Sequence, residues 1–376
     1  MKVDVIIVGG GMVGLATALL LSQNGFDVCL LDIHPCTPTP LPESYDLRVS
    51  AITLGTVKLF KNLGIWEVIN NLRVGRFEKI KIWEDCDTKN ICFEPAKGYI
   101  IENKVIQLAL IQKSEKIKIL APIQIQAIQK SPDNISVLLD NGQTVTSKLI
   151  IGADGANSKI REWAELGLSE KNYDQSALVA TVQTEKPHEN IARQRFLPEG
   201  PLALLPLSQA NYCSIVWTSS PEATQKLLGL NPSEFNTAIN KYWHDELGEI
   251  RLVDQRLAFP LSKKHAEHYV KERVVLVGDA AHTIHHLAGQ GVNLGFLDAQ
   301  ALSTILTQAK NKKRDIGLLH TLRRYERSRK GDNILVQKLM DVFNSPRMRK
   351  FGVKIVSNIE ILKQVMVVWM KRRETS

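Results

Sequence analysis

The sequence predicts an α/β protein that carries a sheet-rich insertion and ends in helices. Three short apolar runs, at residues 3–8, 149–151 and 274–277, predict buried strands, and each run leads directly into glycine. Fully apolar strands are typical of parallel sheets that are covered on both faces. Many of the segments between them alternate in polarity with a period of two, whereas the chain after residue 293 has a helical period.

The N-terminal segment predicts a strand, a glycine turn, a helix and a second strand, in that order. The strand at 3–8 is followed by closely spaced glycines, by an apolar helix at 15–21 and by an apolar strand at 26–32. This order defines a βαβ unit. Beyond it, the pattern predicts a helix over 51–63 and a strand over 79–83.

The middle of the chain is predicted to be rich in sheet. Alternation recurs at 117–120 and 134–139, and further strands are predicted at 203–205 and 214–217. Polar helices are predicted between residues 221 and 247. The final helical region is interrupted by glycine at 317 and by proline at 346.

The composition excludes several classes of protein. With 376 residues, 44% of them hydrophobic and 23% charged, the chain is neither disordered nor collagen-like. Its five cysteines form no C-x-x-C pair, which argues against a zinc ribbon or a secreted disulfide framework and predicts a reducing cytoplasm. No uninterrupted apolar run reaches the roughly 18 residues of a membrane span.

The positive charge is concentrated near the C-terminus. The formal net charge is +9, yet residues 310–373 contain 18 Lys and Arg against 5 Asp and Glu. Two interpretations remain open, a solvated helix face and a surface for anionic membrane. Nucleic acid is not favoured, because no aromatic RNA-binding box, finger spacing or basic zipper accompanies the charge.

The first glycine turn has the pattern of a dinucleotide-binding site. Gly9, Gly11 and Gly14 form G-x-G-x-x-G between a strand and a helix, and Asp32 ends the next strand. Such glycines allow a tight turn, a close approach of pyrophosphate to the backbone and close packing of helix on strand. The acid can accept hydrogen bonds from a ribose.

Two further turns place an acid after an apolar strand. Asp154 lies in the segment 152–155, which is also compatible with a plain Asp-Gly turn followed by a helix cap. Asp279 lies in the segment 278–282, and glycines at 289–291 then open a long helix. Because all these turns follow apolar strands, we expect them to converge on one elongated ligand.

Together these motifs resemble those of the group A flavoprotein aromatic hydroxylases, whose fold is of the para-hydroxybenzoate hydroxylase type. More narrowly, the chain resembles the polyprenylphenol hydroxylases of ubiquinone biosynthesis. The segments that carry this narrower resemblance are 47–52 (LRVSAI), 195–206 (RFLPEGPLALLP), 287–295 (LAGQGVNLG) and 323–329 (RRYERSR). The resemblance extends over approximately residues 3–345.

The resemblance implies FAD as the cofactor, held in a Rossmann-like domain. Gly9, Gly11 and Gly14 would face the pyrophosphate, Asp32 the ribose of the adenosine, and Asp279 the ribityl chain. The remaining residues that it assigns to the cofactor site are Arg48, Asn103, Asp154, Gly289, Gly291, Val292 and Asn293. No second glycine-rich fingerprint is present, which fits a nicotinamide donor that binds only transiently.

The same resemblance implies three units. Residues 1–76, 100–177 and 260–345 would form the FAD-binding domain. Residues 77–99 and 178–259 would form an inserted substrate domain. Residues 346–376 would form a basic amphipathic helical segment at the C-terminus.

The implied reaction uses NAD(P)H and O₂. By this resemblance, a nicotinamide would reduce FAD, O₂ would add at flavin C4a, and the hydroperoxide would transfer oxygen to the ring of a polyprenylphenol. The insertion offers Phe196, Leu204, Pro206 and Trp217 as a substrate wall, although each is equally compatible with a core position. No residue is predicted as a catalytic base.

The resemblance also implies where the protein acts and which partners it contacts. A polyprenylated substrate predicts peripheral contact with the inner face of the membrane and with other quinone-biosynthesis proteins. A homo-oligomer is compatible with the sequence.

One departure from the family pattern lies beside the expected flavin edge. The family usually has His-Pro at the position where this chain has His285 and His286. Proline fixes φ and lacks an N–H group, so His286 adds a donor and a titratable ring. The substitution is compatible with a tolerated change and with altered activity.

Three alternatives remain open, of which the first is motivated by His286 and the third concerns His282, His285 and His286. The first is a non-catalytic FAD-binding scaffold of a biosynthetic complex. The second is another flavin oxidoreductase of this fold, acting on a soluble aromatic or a prenyl substrate. A metal site is the least favoured, because no cluster of acidic or cysteine ligands accompanies the histidines.

Overall fold

The computed structural model describes residues 1–84, 90–283 and 291–344. Within these ranges, no helix combines the length and the apolar character that crossing a bilayer requires.

The strands follow in chain order: β1 (Val5–Val8), β2 (Val28–Leu31), β3 (Val49–Ile52), β4 (Val74–Phe77), β5 (Lys79–Glu84), β6 (Asn90–Phe93), β7 (Gly98–Glu102), β8 (Lys118–Leu120), β9 (Ile125–Lys130), β10 (Ile135–Leu139), β11 (Thr144–Ser147), β12 (Leu149–Gly152), β13 (Leu168–Thr184), β14 (Ile191–Phe196), β15 (Pro201–Pro206), β16 (Tyr212–Ser219), β17 (Ile250–Ala266), β18 (Val270–Lys271), β19 (Val274–Leu276) and β20 (His282–Thr283).

The helices follow in chain order: α1 (Met12–Gln23), α2 (Leu54–Asn62), α3 (Trp66–Asn70), α4 (Asn103–Lys113), α5 (Lys159–Trp163), α6 (Pro221–Gly229), α7 (Pro232–Leu247), α8 (Gly291–Asn311) and α9 (Leu319–Asn344). A short 3₁₀ turn spans Gly278–Ala280.

The N-terminal strands form the centre of a mostly parallel sheet with the order β18-β19-β12-β1-β2-β8. Val8 at the end of β1 pairs with Leu31 and with Gly152, and Gly152 in turn pairs with Leu276. These pairings are parallel, so β2, β1, β12 and β19 end at one edge of the sheet. Ligands bind at this carboxyl edge in open α/β sheets.

The apolar strands β1 and β2 are buried beneath α1, and α8 packs on α1. β1 and β2 are almost entirely buried, and α1 is buried from Gly14 to Leu21. A Cβ at Gly14 would lie 1.9 Å from the carbonyl oxygen of Gly9. The third glycine of the motif therefore allows α1 to pack closely on the turn after β1.

A second sheet, with the order β20-β17-β13-β16-β15-β14-β5-β6, forms the insertion. One face packs against α7, where Phe235, Ile239 and Trp243 are fully buried. The opposite face packs on Ala51 of β3 through Ala203 and Leu205. The insertion thus has a core of its own and an inner face that meets the N-terminal unit.

The structure confirms the predicted fold class, with one local correction. The strands expected at 3–8, 149–151 and 274–277 are β1, β12 and β19. The helix expected over 51–63 was wrong at its start, because β3 extends to Ile52 and α2 begins only at Leu54. Thr53 caps α2 by accepting a hydrogen bond from the N–H of Thr56, which sets the boundary.

The domain limits remain a prediction. The limits expected at residues 177 and 260 fall inside β13 and β17, two strands of 17 residues each that pair along their lengths. Both strands therefore belong in part to each predicted unit.

Candidate functional site

The turn after β1 leads into an open helix N-terminus. Gly9 has φ +112°, and a Cβ there would lie 2.3 Å from the carbonyl oxygen of Ala153, so the position requires glycine. At Gly11, no described atom lies within 4 Å of the Cβ position. Because α1 begins at Met12 without a side-chain cap, its first N–H groups are available to an anion.

Asp32 at the end of β2 braces this turn. Its Oδ2 accepts a hydrogen bond from the N–H of Gly10, and its Oδ1 accepts one from the N–H of His34 at 2.6 Å. A carboxylate offers further lone pairs, which a ribose would use. The neighbouring Cys36 stays a neutral thiol, since burial and the charge of Asp32 raise its pKa to about 11.

Arg48 and Asn103 are brought together by their backbones. The N–H of Asn103 donates to the carbonyl oxygen of Arg48 at 2.9 Å. The side chain of Asn103 accepts a hydrogen bond from Ser50 Oγ at 2.6 Å. The guanidinium of Arg48 is exposed and lies 5.9 Å from the centroid of the Phe259 ring.

Gln107 is a residue of the site that the sequence prediction missed. It lies one turn after Asn103 on α4, and its Nε2 donates to the carbonyl oxygen of Gly10 at 3.2 Å. Residues at i and i+4 share a helix face, so Asn103 could have pointed to Gln107. α4 is thereby tied to the glycine turn.

Asp154 combines a structural contact with an unpaired atom. Its Oδ2 accepts from the N–H groups of Lys159 and Ile160, at 2.7 and 3.2 Å, which caps α5. Its Oδ1 is buried and has no hydrogen-bond partner among the described residues. The nearby Arg161 is buried and donates to the carbonyl oxygen of Ala280 at 2.8 Å, which links this turn to the next one.

The turn after β19 exposes Asp279 at the carboxyl edge of the sheet. Gly278 has φ +61°, and a Cβ there would lie 3.2 Å from the side chain of Val13 on α1. A Cβ at Gly295 on α8 would lie 2.6 Å from the same side chain. Val13 is therefore the point at which α1, α8 and this turn meet.

The start of α8 is fastened to β3 by Asn293. Its Nδ2 donates to the carbonyl oxygen of Ala51 at 2.7 Å, and its Oδ1 accepts from Thr56 Oγ1 at 2.7 Å and from the N–H of Thr53 at 3.2 Å. The side chain is 1% exposed. Gly291 and Val292 precede it on α8 and are half-buried. The predicted residues His285, His286 and Gly289 lie outside the described residues.

The four residues offered as a substrate wall do not share one environment. Leu204 and Trp217 lie in the core that packs on α7, where the Trp217 ring is 6.3 Å from that of Phe235. This placement favours the core interpretation for both. Phe196 and Pro206 are buried at the ends of β14 and β15.

The geometry fits an elongated dinucleotide. Turns from four strands of one sheet meet at its carboxyl edge. Among the described residues, they provide an uncapped helix N-terminus, open space at Gly11, a buried unpaired oxygen on Asp154 and an exposed carboxylate on Asp279. A family model described as FAD binding domain matches residues 2–335.

The chain belongs to the FAD binding domain family. FAD is therefore its cofactor. Two curated relatives span nearly the whole chain. The 3-demethoxyubiquinol 3-hydroxylase of Escherichia coli (strain K12) is 37% identical, over 96% of this chain and 96% of that protein. The mitochondrial ubiquinone biosynthesis monooxygenase COQ6 of Danio rerio is 34% identical, over 98% of this chain and 90% of that protein.

A solved structure shares the fold. The crystal structure of p-nitrophenol 4-monooxygenase PnpA from Pseudomonas putida DLL-E4 superposes with a TM-score of 0.77. The match is 17% identical and covers 99% of this chain and 98% of that one. At this identity the likeness establishes the fold.

Proposed function

We propose that this chain is an FAD-dependent monooxygenase that hydroxylates the aromatic ring of a polyprenylated phenol in ubiquinone biosynthesis. The observation that carries the proposal is the 37% identity to a demethoxyubiquinol hydroxylase over 96% of both chains. This span includes the cofactor sheet and the substrate sheet alike, so the relationship is not confined to the part that binds FAD.

FAD, once reduced by a nicotinamide, supplies the activation of O₂. The task of the protein is to hold the cofactor and to keep water away from it. The N-terminus of α1 would bind the pyrophosphate, Asp32 the adenosine ribose and Asp279 the ribityl chain. Arg48 and Asn103 lie where they would add polar contacts, with Gln107 supporting the glycine turn from α4.

The substrate ring would lie against the inner face of the insertion sheet. Side chains alternate between the two faces of a strand. On β16, Trp217 points to α7, whereas Val216 packs with the inner cluster that contains Ala51 of β3. On β17, Leu257 and Phe259 are 41% and 39% exposed. We therefore assign the wall to Val216, Leu257 and Phe259 in place of Leu204 and Trp217.

The proposal extends to partners. NAD(P)H would bind transiently, because the chain has one glycine-rich fingerprint and that one serves FAD. A polyprenylphenol is insoluble in water, so the enzyme must take it from a bilayer or from another protein. The basic, apolar segment 347–376 would serve as peripheral membrane contact; it lies outside the described residues. Self-association is compatible with this scheme.

The test is a coupled assay of the purified full-length protein. The protein should be yellow, and it should oxidise NADH or NADPH faster when a prenylated phenol is added. Product analysis in strains that each lack one quinone hydroxylase would identify the ring position. If the purified protein binds flavin, phenols do not speed its oxidation of NADH or NADPH, and no strain yields a hydroxylated product, the result would favour a scaffold. If only soluble phenols speed this oxidation, the result would favour a different aromatic hydroxylase.

The His286 departure is tested in the same assay. We expect His286→Pro to keep or raise hydroxylase activity, because proline is the residue that the family usually carries there. Loss of FAD from this variant, with circular dichroism unchanged, would show that the local backbone has diverged.

A further inference from the structure

A buried carboxylate lies directly behind the turn that carries Asp279. Asp298 on α8 is 0% exposed, and the two basic side chains that contact it, His282 and Arg329, are 2% and 3% exposed. Burying a carboxylate is costly unless charges and hydrogen bonds compensate. The hydrogen-bond partners that compensate for this burial therefore show which parts of the structure Asp298 holds in place.

The partners of Asp298 come from both ends of the turn. Its Oδ2 accepts a hydrogen bond from the backbone N–H of Gly278 at 3.2 Å and lies 2.5 Å from Nε2 of His282. An ionised carboxylate can only accept, so His282 carries its proton on Nε2. One oxygen atom thus contacts the residue before Asp279 and the residue three positions after it.

The other oxygen of Asp298 is fixed from α9. Its Oδ1 accepts from Nε of Arg329 at 2.7 Å and from Nδ2 of Asn333 at 3.3 Å. Arg329 also donates to Oδ1 of Asn333 at 2.8 Å, which locks the two α9 side chains together. The carboxylate therefore cannot rotate without breaking contacts to a second helix.

The charges around Asp298 keep it ionised. Burial by itself would raise the pKa of this carboxyl group, but His282 and Arg329 outweigh burial and lower the pKa to about 2. The acceptor is thus present throughout the physiological range. Asp279 itself remains exposed, so the turn is held from behind while its acid faces outwards.

We propose that Asp298 and His282 are positioning residues that hold the Gly278–Ala280 turn in the shape that binds FAD. Neither is among the residues assigned to the cofactor from the sequence. The inference rests on the proposed role of Asp279 in holding FAD. It predicts that breaking the His282 contact weakens FAD binding by more than a general loss of stability would.

The experiment measures FAD affinity and stability separately on the full-length protein. Apoprotein is titrated with FAD by fluorescence quenching, and the melting temperature of the apoprotein is followed by circular dichroism. The variants are His282→Gln, His282→Asn and His282→Leu. The glutamine amide reaches the place of Nε2 and can donate to Asp298, whereas the asparagine amide reaches only the place of Nδ1.

The matched control is His188→Leu in the insertion. His188 is also buried, at 4% exposure, and its Nε2 lies 3.1 Å from the carbonyl oxygen of Leu207. This variant should lower the melting temperature and leave the Kd for FAD within about threefold of wild type. It measures what the loss of a buried histidine does at a distance from the turn.

We expect His282→Leu and His282→Asn to raise the Kd by about tenfold or more, the size expected for a lost hydrogen bond to a charged group. His282→Gln should restore the Kd to within about threefold of wild type. If the leucine variant does not fold, the comparison of asparagine with glutamine decides. Equal Kd values for these two, or a rise in His188→Leu as large as in His282→Asn, would overturn the inference. Wild-type apoprotein that binds no FAD would instead overturn the proposed function.

Discussion

The side-chain amide of Asn293 donates a hydrogen bond of 2.7 Å to the backbone carbonyl of Ala51. This contact ties the first turn of α8 to β3, and β3 in turn packs on the inner face of the insertion sheet. The predicted flavin position and the predicted substrate wall therefore share one strand as a common support.

Replacing Asn293 by alanine should damage both stability and cofactor binding. The variant leaves the carbonyl of Ala51 and the buried hydroxyl of Thr56 without this partner, which should lower the free energy of unfolding by about 3 kcal/mol. The Kd for FAD should rise as well. Asn240→Ala is the control, because its amide makes two similar hydrogen bonds to Ile250 in the insertion. It should cost stability while leaving the Kd unchanged; a parallel rise would argue against a local effect.

Gly11→Val should abolish FAD retention and leave the apoprotein folded. No described atom lies within 4 Å of the Cβ position at Gly11, so the side chain enters only the space assigned to the pyrophosphate. The absorbance ratio of flavin to protein after purification measures occupancy. Gly229→Val, at another open glycine position on α6, should retain full absorbance. Full absorbance in Gly11→Val would refute the placement.

Kinetics should separate the two faces of the insertion sheet. Phe259→Ala should raise the KM for a prenylated phenol severalfold while changing stability by less than about 1 kcal/mol, because the ring is 39% exposed. Leu204→Ala should do the reverse, costing about 2–5 kcal/mol through a core cavity at unchanged KM. Val253→Ala, at a 47% exposed position on the same strand, is the control. The opposite result would return the substrate wall to Leu204 and Trp217.

Acid should destabilise the protein through His265. Burial and then the charge of His282 lower the pKa of His265 from 6.5 to about 4, and Lys330 and Lys263 act in the same direction. Between these values the unfolded chain binds more protons, so stability is lost as the pH falls from about 6.5 to about 4, by up to about 1.4 kcal/mol per pH unit. His265→Gln should flatten the melting temperature between pH 7 and pH 5. His320→Gln, at an exposed position on α9, should leave the wild-type slope unchanged.

Truncation after Pro346 should abolish binding to anionic vesicles and leave FAD bound. The removed segment, residues 347–376, holds eight basic residues and two acids among many apolar ones. Each basic residue near an anionic surface contributes about 1 kcal/mol, and salt screens this contribution. Sedimentation with vesicles at low and high salt measures the effect. Equal binding by the truncated chain, or salt-insensitive binding by the full chain, would leave the segment without this role.

The meeting of the glycine and aspartate turns at one edge was predictable because its signals are local. Gly9, Asp32 and Asp279 each follow an apolar strand, and parallel pairing then brings them to one edge. The sequence did not predict which face of the insertion sheet is the core. Alternation of polar and apolar residues shows that a strand has two faces, but it does not show which face a helix covers. Trp217 and Val216 are adjacent in sequence, and only the packing of α7 assigns one of them to the core.

The contacts of Asp298 could not be predicted from the sequence for a different reason. Its partners lie on β20, on α9 and in the turn after β19, and sequence distance gives no sign that they meet. His282 was visible as part of a motif, but its neighbour in space was not. Gln107, by contrast, lay one helical turn from a residue that had already been singled out.

The two long strands have a mechanical consequence. β13 and β17 each cross a predicted limit between the two units and pair with each other on both sides of it, with two shifts of register. β17 also pairs with β20, where His265 lies opposite His282. Backbone hydrogen bonds between long strands, not a flexible tether, therefore join the two predicted units. Neither unit can unfold without breaking strand pairing in the other, so calorimetry should record a single cooperative unfolding transition. A load applied to the insertion sheet would also be carried along β17 to β20, which directly follows the turn of Asp279.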